Sequence, residues 1–191
     1  MKYFSFLLCA SILLLACQQK ASTEKANQFA AGIHAATTGN IKAAQQAFVD
    51  KMAETLRTVK QDRSATVDTK SLRELLDRAK DANHTSLVEL NKLTEVDNTI
   101  NLKEKALADN ELNRSLFEHE FSSIVNALES TAPDKMNQLD SIITAFAAKE
   151  TAIKTIRKTA QDASYDFDKK YDITVPADGD GSVEKATTPK K

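Results

Sequence analysis

The sequence predicts an all-α fold: an elongated, mostly antiparallel four-helix bundle with a flexible C-terminal tail. Only 4 glycines and 3 prolines occur among 191 residues, so the chain has few of the residues that end helices and form turns. Apolar residues recur every three or four positions over long stretches, which is the spacing of helices with one buried face. A fold of many strands would need more turns than this composition provides.

The composition also argues against one class of partner, nucleic acid. The chain has 26 basic and 27 acidic residues, which gives a formal net charge of −1. Proteins that bind nucleic acid usually carry a strongly basic surface, so we expect no nucleic-acid partner. Hydrophobic residues make up 41% of the chain, which is enough to form a core and argues against disorder of the whole chain.

The N-terminus has the pattern of a secretion signal. Lys2 precedes an apolar run of about 13 residues, which is too short to span a bilayer. The run ends in Leu14-Leu15-Ala16-Cys17, and polar residues follow. This end resembles the lipobox of bacterial lipoproteins, whose signal is cut before the cysteine and whose cysteine carries acyl chains such as palmitate. An ordinary secretory signal and an uncleaved anchor are the alternatives.

The resemblance implies a signal peptide over residues 1–16, a lipidated tether over 17–22 and lipid on Cys17. Two or three acyl chains hold a protein stably to a membrane. Gln18, rather than Asp, follows the cysteine, which in Gram-negative lipoproteins favours the outer membrane. Cys9 leaves with the signal peptide, so the mature domain has no disulfide and no thiolate for catalysis or metal binding. Whether the domain faces the periplasm or the exterior stays open.

The first helix is predicted from Ala21 to about Asp62. Its apolar face stays in phase across residues 37–40, although Gly39 and the neighbouring threonines are poor helix formers. We therefore expect one continuous helix with a weak spot, and a break at this spot is the alternative. The predicted buried face comprises Phe29, Ile33, Ala36, Ile41, Ala44, Phe48, Met52, Leu56 and Val59.

Two further helices are predicted between residues 71 and 130. Ser71 and Glu74 have the spacing of a capping box, which would start the second helix after a polar connection over 63–70. Asn101 is expected to cap the third helix after a turn at 97–101, and one very long helix over 71–130 is the alternative. The predicted inward residues are Leu72, Leu75, Leu76, Ala79, Leu87, Leu90, Leu93, Leu107, Phe117, Phe121, Ile124, Val125 and Leu128.

The fourth helix is predicted to start at residues 131–134, because Pro133 and Asp134 suit a first helical turn. Its apolar residues follow a near-heptad spacing that stops at Tyr171, which favours nearly parallel packing and leaves a coiled-coil dimer open beside a monomer. The bundle domain therefore covers 23–171, and 172–191 is a flexible, disordered tail. The inward residues are Met136, Leu139, Ile143, Phe146, Ile153, Ile156, Ala160, Ala163 and Phe167.

The histidines are the first candidates for chemistry. Asp81 and His84 lie one helical turn apart, which is half of one di-iron motif with Asp in place of Glu. His119 is flanked by two glutamates that point to different sides of a helix, and His34 lies among small residues. We interpret all three as exposed or edge histidines; a metal site and a pH-sensing role are the alternatives.

Other motifs are absent or incomplete. Gly32 and Gly39 are too sparse for a phosphate loop, and 178–184 lacks the spacing of a calcium loop. Met52 and Met136 could ligate haem with a histidine, but they lie in the apolar faces and are interpreted as core residues. We therefore predict no catalytic, cofactor-binding or metal-binding residue and no cofactor.

The sequence thus predicts a membrane-anchored envelope lipoprotein whose bundle is a non-enzymatic interaction or scaffold module with an unidentified protein partner. A carrier that holds a small apolar ligand between helices is the alternative, and a metal protein centred on Asp81 and His84 is the third hypothesis. The residues that would line a carrier pocket are Phe29, Phe48, Phe117, Phe121, Phe146 and Phe167.

Overall fold

The computed structural model describes residues 22–173, and every regular element within this range is helical. The described helix begins at residue 22, one residue before the predicted start of the bundle domain. The predicted signal peptide, Cys17, most of the tether and residues 174–191 of the tail lie outside the described residues.

The elements form four antiparallel rods: α1 with α2, α3 alone, α4 through α5, and α6 with α7. α2 packs on α3, α3 packs on α4 and α5, α4 packs on α7, and α5 packs on α6. This arrangement confirms the predicted all-α four-helix bundle. The bounds are α1 22–37, α2 Asn40–Gln61, α3 Thr69–Lys92, α4 Leu102–Ser115, a π-helical segment Leu116–Phe121, α5 Ser122–Glu129, α6 Lys135–Ala147 and α7 Glu150–Tyr171.

Two clusters of buried apolar residues lie at opposite ends of the bundle. The near core lies at the end where residues 22 and 173 are found, and the far core lies next to the loops 62–68 and 130–134. The near core comprises Ala26, Phe29, Ile33, Ala36, Leu90, Leu102, Ala106, Ala163 and Phe167. The far core comprises Phe48, Met52, Val59, Leu72, Leu76, Ala79, Phe117, Ile124, Val125, Ala127, Leu128 and Leu139.

The first rod is broken, so the prediction of one continuous helix is wrong. α1 ends at residue 37, and Gly39 has φ 60° and ψ −127°, a conformation that L side chains rarely adopt. The hydroxyl groups of Thr37 and Thr38 donate to the carbonyls of Ile33 (2.9 Å) and His34 (2.7 Å), and so satisfy acceptors at the end of α1. The break falls at the predicted weak spot.

The second rod starts before the predicted capping box. Asp68 is the N-cap of α3, and its carboxylate accepts from the backbone N–H of Ser71 at 3.0 Å. The predicted cap at Ser71 is therefore wrong, because the N–H of Ser71 itself donates to an acidic cap three residues earlier. α3 ends at Lys92 and a loop over 93–101 follows, so the prediction of two helices rather than one is confirmed.

The third rod begins after Asn101, as predicted, but not by side-chain capping. Asn101 has φ 55° and makes no side-chain cap bond, while its carbonyl accepts from the N–H of Lys105 at 3.1 Å. The rod also contains the unpredicted π-helical segment Leu116–Phe121. The hydroxyl of Ser122 donates to the carbonyl of Phe117 at 2.8 Å, which satisfies one acceptor of this widened turn.

The fourth rod is two helices rather than the predicted single one. Between α6 and α7, the N–H of Lys149 donates to the carbonyl three residues earlier, at Phe146, at 2.9 Å. This tighter turn interrupts the α-helical pattern. α7 ends at Tyr171 as predicted, and Asp172, with φ 53°, lets the N–H of Ile173 reach the carbonyl of Asp168 at 2.9 Å.

Candidate functional site

The loop over residues 93–101 at the near end holds the most connected charged group among the described residues. Asp97 is 6% exposed, and its Oδ1 accepts from the N–H of Thr99 at 2.9 Å and from its hydroxyl at 2.6 Å. Oδ2 accepts from the ammonium of Lys170 and from the hydroxyl of Tyr171, the latter at 3.1 Å. One carboxylate therefore joins this loop to the end of α7.

These contacts set the charge state of the cluster. Lys170, with Thr99 and Tyr171 also donating, holds the pKa of the Asp97 carboxyl well below its usual range. Conversely, Asp97 raises the pKa of Lys170. Burial, followed by the bond to Asp97, raises the pKa of the Tyr171 hydroxyl. The cluster is thus a fixed ion pair at neutral pH rather than a proton donor or acceptor.

Glu95 holds the other side of the same loop. Its Oε1 accepts from the N–H of Val96 at 3.0 Å and of Asp97 at 3.1 Å, and its Oε2 accepts from the N–H of Lys103 at 2.8 Å. The ammonium of Lys103 donates to the carbonyls of Asn91 at 3.1 Å and Leu93 at 2.5 Å. The loop is therefore a fixed connection between α3 and α4.

A layer of buried polar residues lies between the two cores. Asn83 and Ser86 on α3 are fully buried, and Asn110 on α4 is 4% exposed. The hydroxyl of Ser86 lies within hydrogen-bond distance of the carbonyl of Ala36 and of Asn110 Oδ1, the latter at 2.7 Å. Because a hydroxyl has one proton, it can donate to only one of them at a time. Neither amide atom of Asn83 has a partner among the described residues.

Charged residues line the seam between the third and fourth rods. Burial raises the pKa of Asp109, an effect that the nearby Arg157 opposes. Arg157 donates to Asn113 at 3.1 Å. Lys149 pairs with Glu120, whose second carboxylate oxygen is buried without a partner in the described range. These groups are matched in charge and hold two rods together.

The histidines singled out from the sequence are not brought into a site. His34, His84 and His119 are all exposed, as is Asp81. Burial raises the pKa of Asp168, and His34 on α1 opposes this rise. Within residues 22–173, no group of three or more His, Cys, Asp or Glu side chains is placed to hold a metal ion.

The methionines and phenylalanines lie in the apolar clusters. Met52 is buried in the far core, and Met136 packs against it. The six phenylalanines fall into two groups instead of lining one pocket. In the near core, the ring centroids of Phe29 and Phe167 are 5.4 Å apart. The other four rings form the second group, with centroid distances of 5.5 Å for Phe48 and Phe117, 5.3 Å for Phe48 and Phe121, 5.1 Å for Phe117 and Phe121, and 5.6 Å for Phe121 and Phe146.

A small cleft lies at the far end, between the end of α2 and the start of α6. Its volume is about 10 Å³, which is about the room needed for one water molecule. Arg63, Val67 and Met136 are among its lining residues. The guanidinium of Arg63 pairs with Asp140 at 2.9 Å across the same seam. The cleft offers no room for the small apolar ligand of the carrier hypothesis.

Comparison with known proteins finds no matching protein family, no matching curated protein and no matching solved structure. None of the helices among residues 22–173 is long and apolar enough to cross a membrane.

Sequence reasoning missed both the Asp97 cluster and the polar layer. The sequence predicts a turn at Asp97, but its partner Lys170 lies 73 residues away and only the fold brings the two together. Asn83 carried a usable signal, since it lies on the apolar face of α3 between Ala79 and Leu87. A polar residue at such a position indicates a buried polar contact.

Proposed function

We propose that this chain is a lipid-anchored lipoprotein of a bacterial cell envelope and that its helical bundle is a non-enzymatic interaction or scaffold module. The observation that carries the proposal is the run Leu14-Leu15-Ala16-Cys17 at the end of an apolar segment, with its resemblance to a lipobox. The outer membrane is the proposed location, because Gln18 rather than Asp follows the cysteine.

The geometry of the bundle suits a short anchor. Residues 18–21 alone separate Cys17 from residue 22, the first described helical residue. The distance from Cys17 to residue 22 is therefore at most about 17 Å. The near end would therefore lie next to the membrane surface. α3 has 24 residues and is about 36 Å long, so the far end would stand several nanometres away.

The use of the charged groups supports a structural rather than a catalytic role. Lys170 pairs with Asp97, and Lys149 pairs with Glu120. Each pair links a helix to a neighbouring element, so these side chains are occupied in holding the bundle together. Catalytic acids and bases instead converge on a cleft that can admit a substrate.

The proposed partner is another protein of the envelope. The far end exposes Arg63 and the loops 62–68 and 130–134, away from the anchor. A bundle fixed at one end presents the other end to components in the same compartment. A partner bound there would be held at a set distance from the membrane.

Labelling with a radioactive fatty acid in the native host tests the anchor. The wild type and Cys9→Ser are expected to take up label, and Cys17→Ser is expected to take up none. Cys9→Ser is the matched control, because it changes the same residue type within the same segment. Label on Cys17→Ser equal to that of the wild type, or an unlabelled wild type, would overturn the proposal.

A further inference from the structure

Three of the four rods are interrupted, and in the first and fourth rods the interruption falls between residues of the near core and residues of the far core. The first rod breaks at Thr38 and Gly39, the third widens over Leu116–Phe121, and the fourth breaks at Ala148 and Lys149. The π-helical segment carries Phe117 of the far core, so we use the name waist for the breaks in the first and fourth rods alone. Interruptions of this kind lower the cost of bending a helix, since regular hydrogen bonds are already missing there.

α3 is the one rod of the four without an interruption, from Thr69 to Lys92. It contributes Leu76 to the far core and Leu90 to the near core, and both side chains are fully buried. At the level between them it carries Asn83 and Ser86. The apolar cores are thus separated by polar side chains on the one rod that is common to both.

The hydrogen-bond donors and acceptors of the polar layer are not all paired with one another. The single hydroxyl proton of Ser86 serves two acceptors, the carbonyl of Ala36 and the amide oxygen of Asn110. Both amide atoms of Asn83 are buried without a partner among the described residues. A buried polar group without a partner costs free energy that contact with water restores, so local opening at this layer is favoured over opening within either core.

We propose that the bundle consists of two halves that open independently of each other at this polar layer, with α3 as their shared member. The near half contains α1, α4, α7 and the end of α3. The far half contains α2, α5, α6 and the start of α3. The proposal goes beyond the scaffold role, because it gives the bundle a bend between the near end, where residues 22 and 173 lie, and the far end.

Hydrogen exchange of the purified full chain, read by mass spectrometry, tests this with two matched variants. Leu76→Ala and Leu90→Ala remove the same buried side chain from the same helix, one in each core. Leu76→Ala is expected to speed exchange in α5 and α6 by about 30-fold or more and to leave α4 and α7 within about threefold of the wild type. Leu90→Ala is expected to do the reverse.

Equal acceleration in both halves by either variant would show one cooperative unit and would overturn the proposal. The wild type gives an independent reading if a variant does not fold. Amides of the waist at 36–43 and 147–152 are then expected to exchange faster than those of either core. Equal protection of the waist and the cores would contradict the proposal as well.

Asn83→Leu tests the role of the polar layer itself. Leucine has a similar shape without polar atoms, so the variant is expected to slow exchange at the waist by about tenfold. In the Asn83→Leu background, Leu76→Ala is then expected to speed exchange in both halves. Asn137→Leu is the control, because Asn137 is exposed on α6. Unchanged exchange at the waist in Asn83→Leu would show that the layer does not set the opening.

Discussion

At the scale of single residues, Asp97 is the group that ties the near-end loop to the last helix. Lys170 is the main cause of its lowered pKa, and Thr99 adds to it. A carboxyl with a lowered pKa stabilises the fold above its unfolded pKa of about 3.9, and this stabilisation is lost as the pH falls towards the folded pKa. The near end is therefore expected to weaken in acid.

We expect Asp97→Asn to lower the free energy of unfolding by about 2 kcal/mol near neutral pH, because it removes charge-assisted hydrogen bonds from a buried group. The difference from the wild type should shrink as the pH falls below about 4. Urea denaturation across this pH range measures both effects. Asp166→Asn is the control, since Asp166 is exposed on the same helix as Lys170. A difference that stays constant with pH would contradict the assignment.

At the scale of helical elements, the break between α1 and α2 depends on Gly39. Nothing lies within 4 Å of the position that a Cβ would take there, so any cost of a side chain comes from its φ of +60°. We expect Gly39→Ala to lower the free energy of unfolding by about 1–3 kcal/mol through backbone strain. Asn40→Ala, at the exposed neighbouring position, is expected to change it by less than about 0.5 kcal/mol. A Gly39→Ala variant as stable as the wild type would mean that the first rod can run straight.

The π-helical segment gives a second prediction at this scale. Ser122 donates its hydroxyl to the carbonyl of Phe117 at 2.8 Å. We expect Ser122→Ala to lower the free energy of unfolding by about 1 kcal/mol, because the side-chain hydrogen bond to this carbonyl is lost. Ser123→Ala is the matched control, as Ser123 is the exposed neighbour. Thermal unfolding followed by circular dichroism measures both, and equal effects would show that the hydroxyl does not support the segment.

At the scale of the whole molecule, the number of rods and their buried faces could be predicted from the sequence. Burial of one helix face demands apolar residues every three or four positions, and Phe48, Leu76 and Phe167 are fully buried as that rule predicts. Helix ends and interruptions could be predicted less well. Phe117 and Phe121 are four residues apart whether the turn between them is an α- or a π-turn, so the pattern does not distinguish the two.

The charged contacts could not be predicted, for a different reason. Lys170 and Asp97 are both charged residues at positions where solvent exposure is the ordinary outcome. Their pairing follows from the antiparallel return of the fourth rod to the near end, which is a property of the fold and not of either local sequence. The lipobox resemblance at Cys17 is local, which is why the sequence alone supports the proposed anchor.

We propose above a lipid-anchored bundle that acts without a bound ligand. Native mass spectrometry of the chain, gently solubilised from membranes of its host, tests it most directly. We expect a mass equal to the chain from Cys17 onward plus its acyl chains, as a monomer or dimer, with no further bound mass. A small molecule that survives purification would make the protein a carrier, and a chain without acyl chains would contradict the anchor.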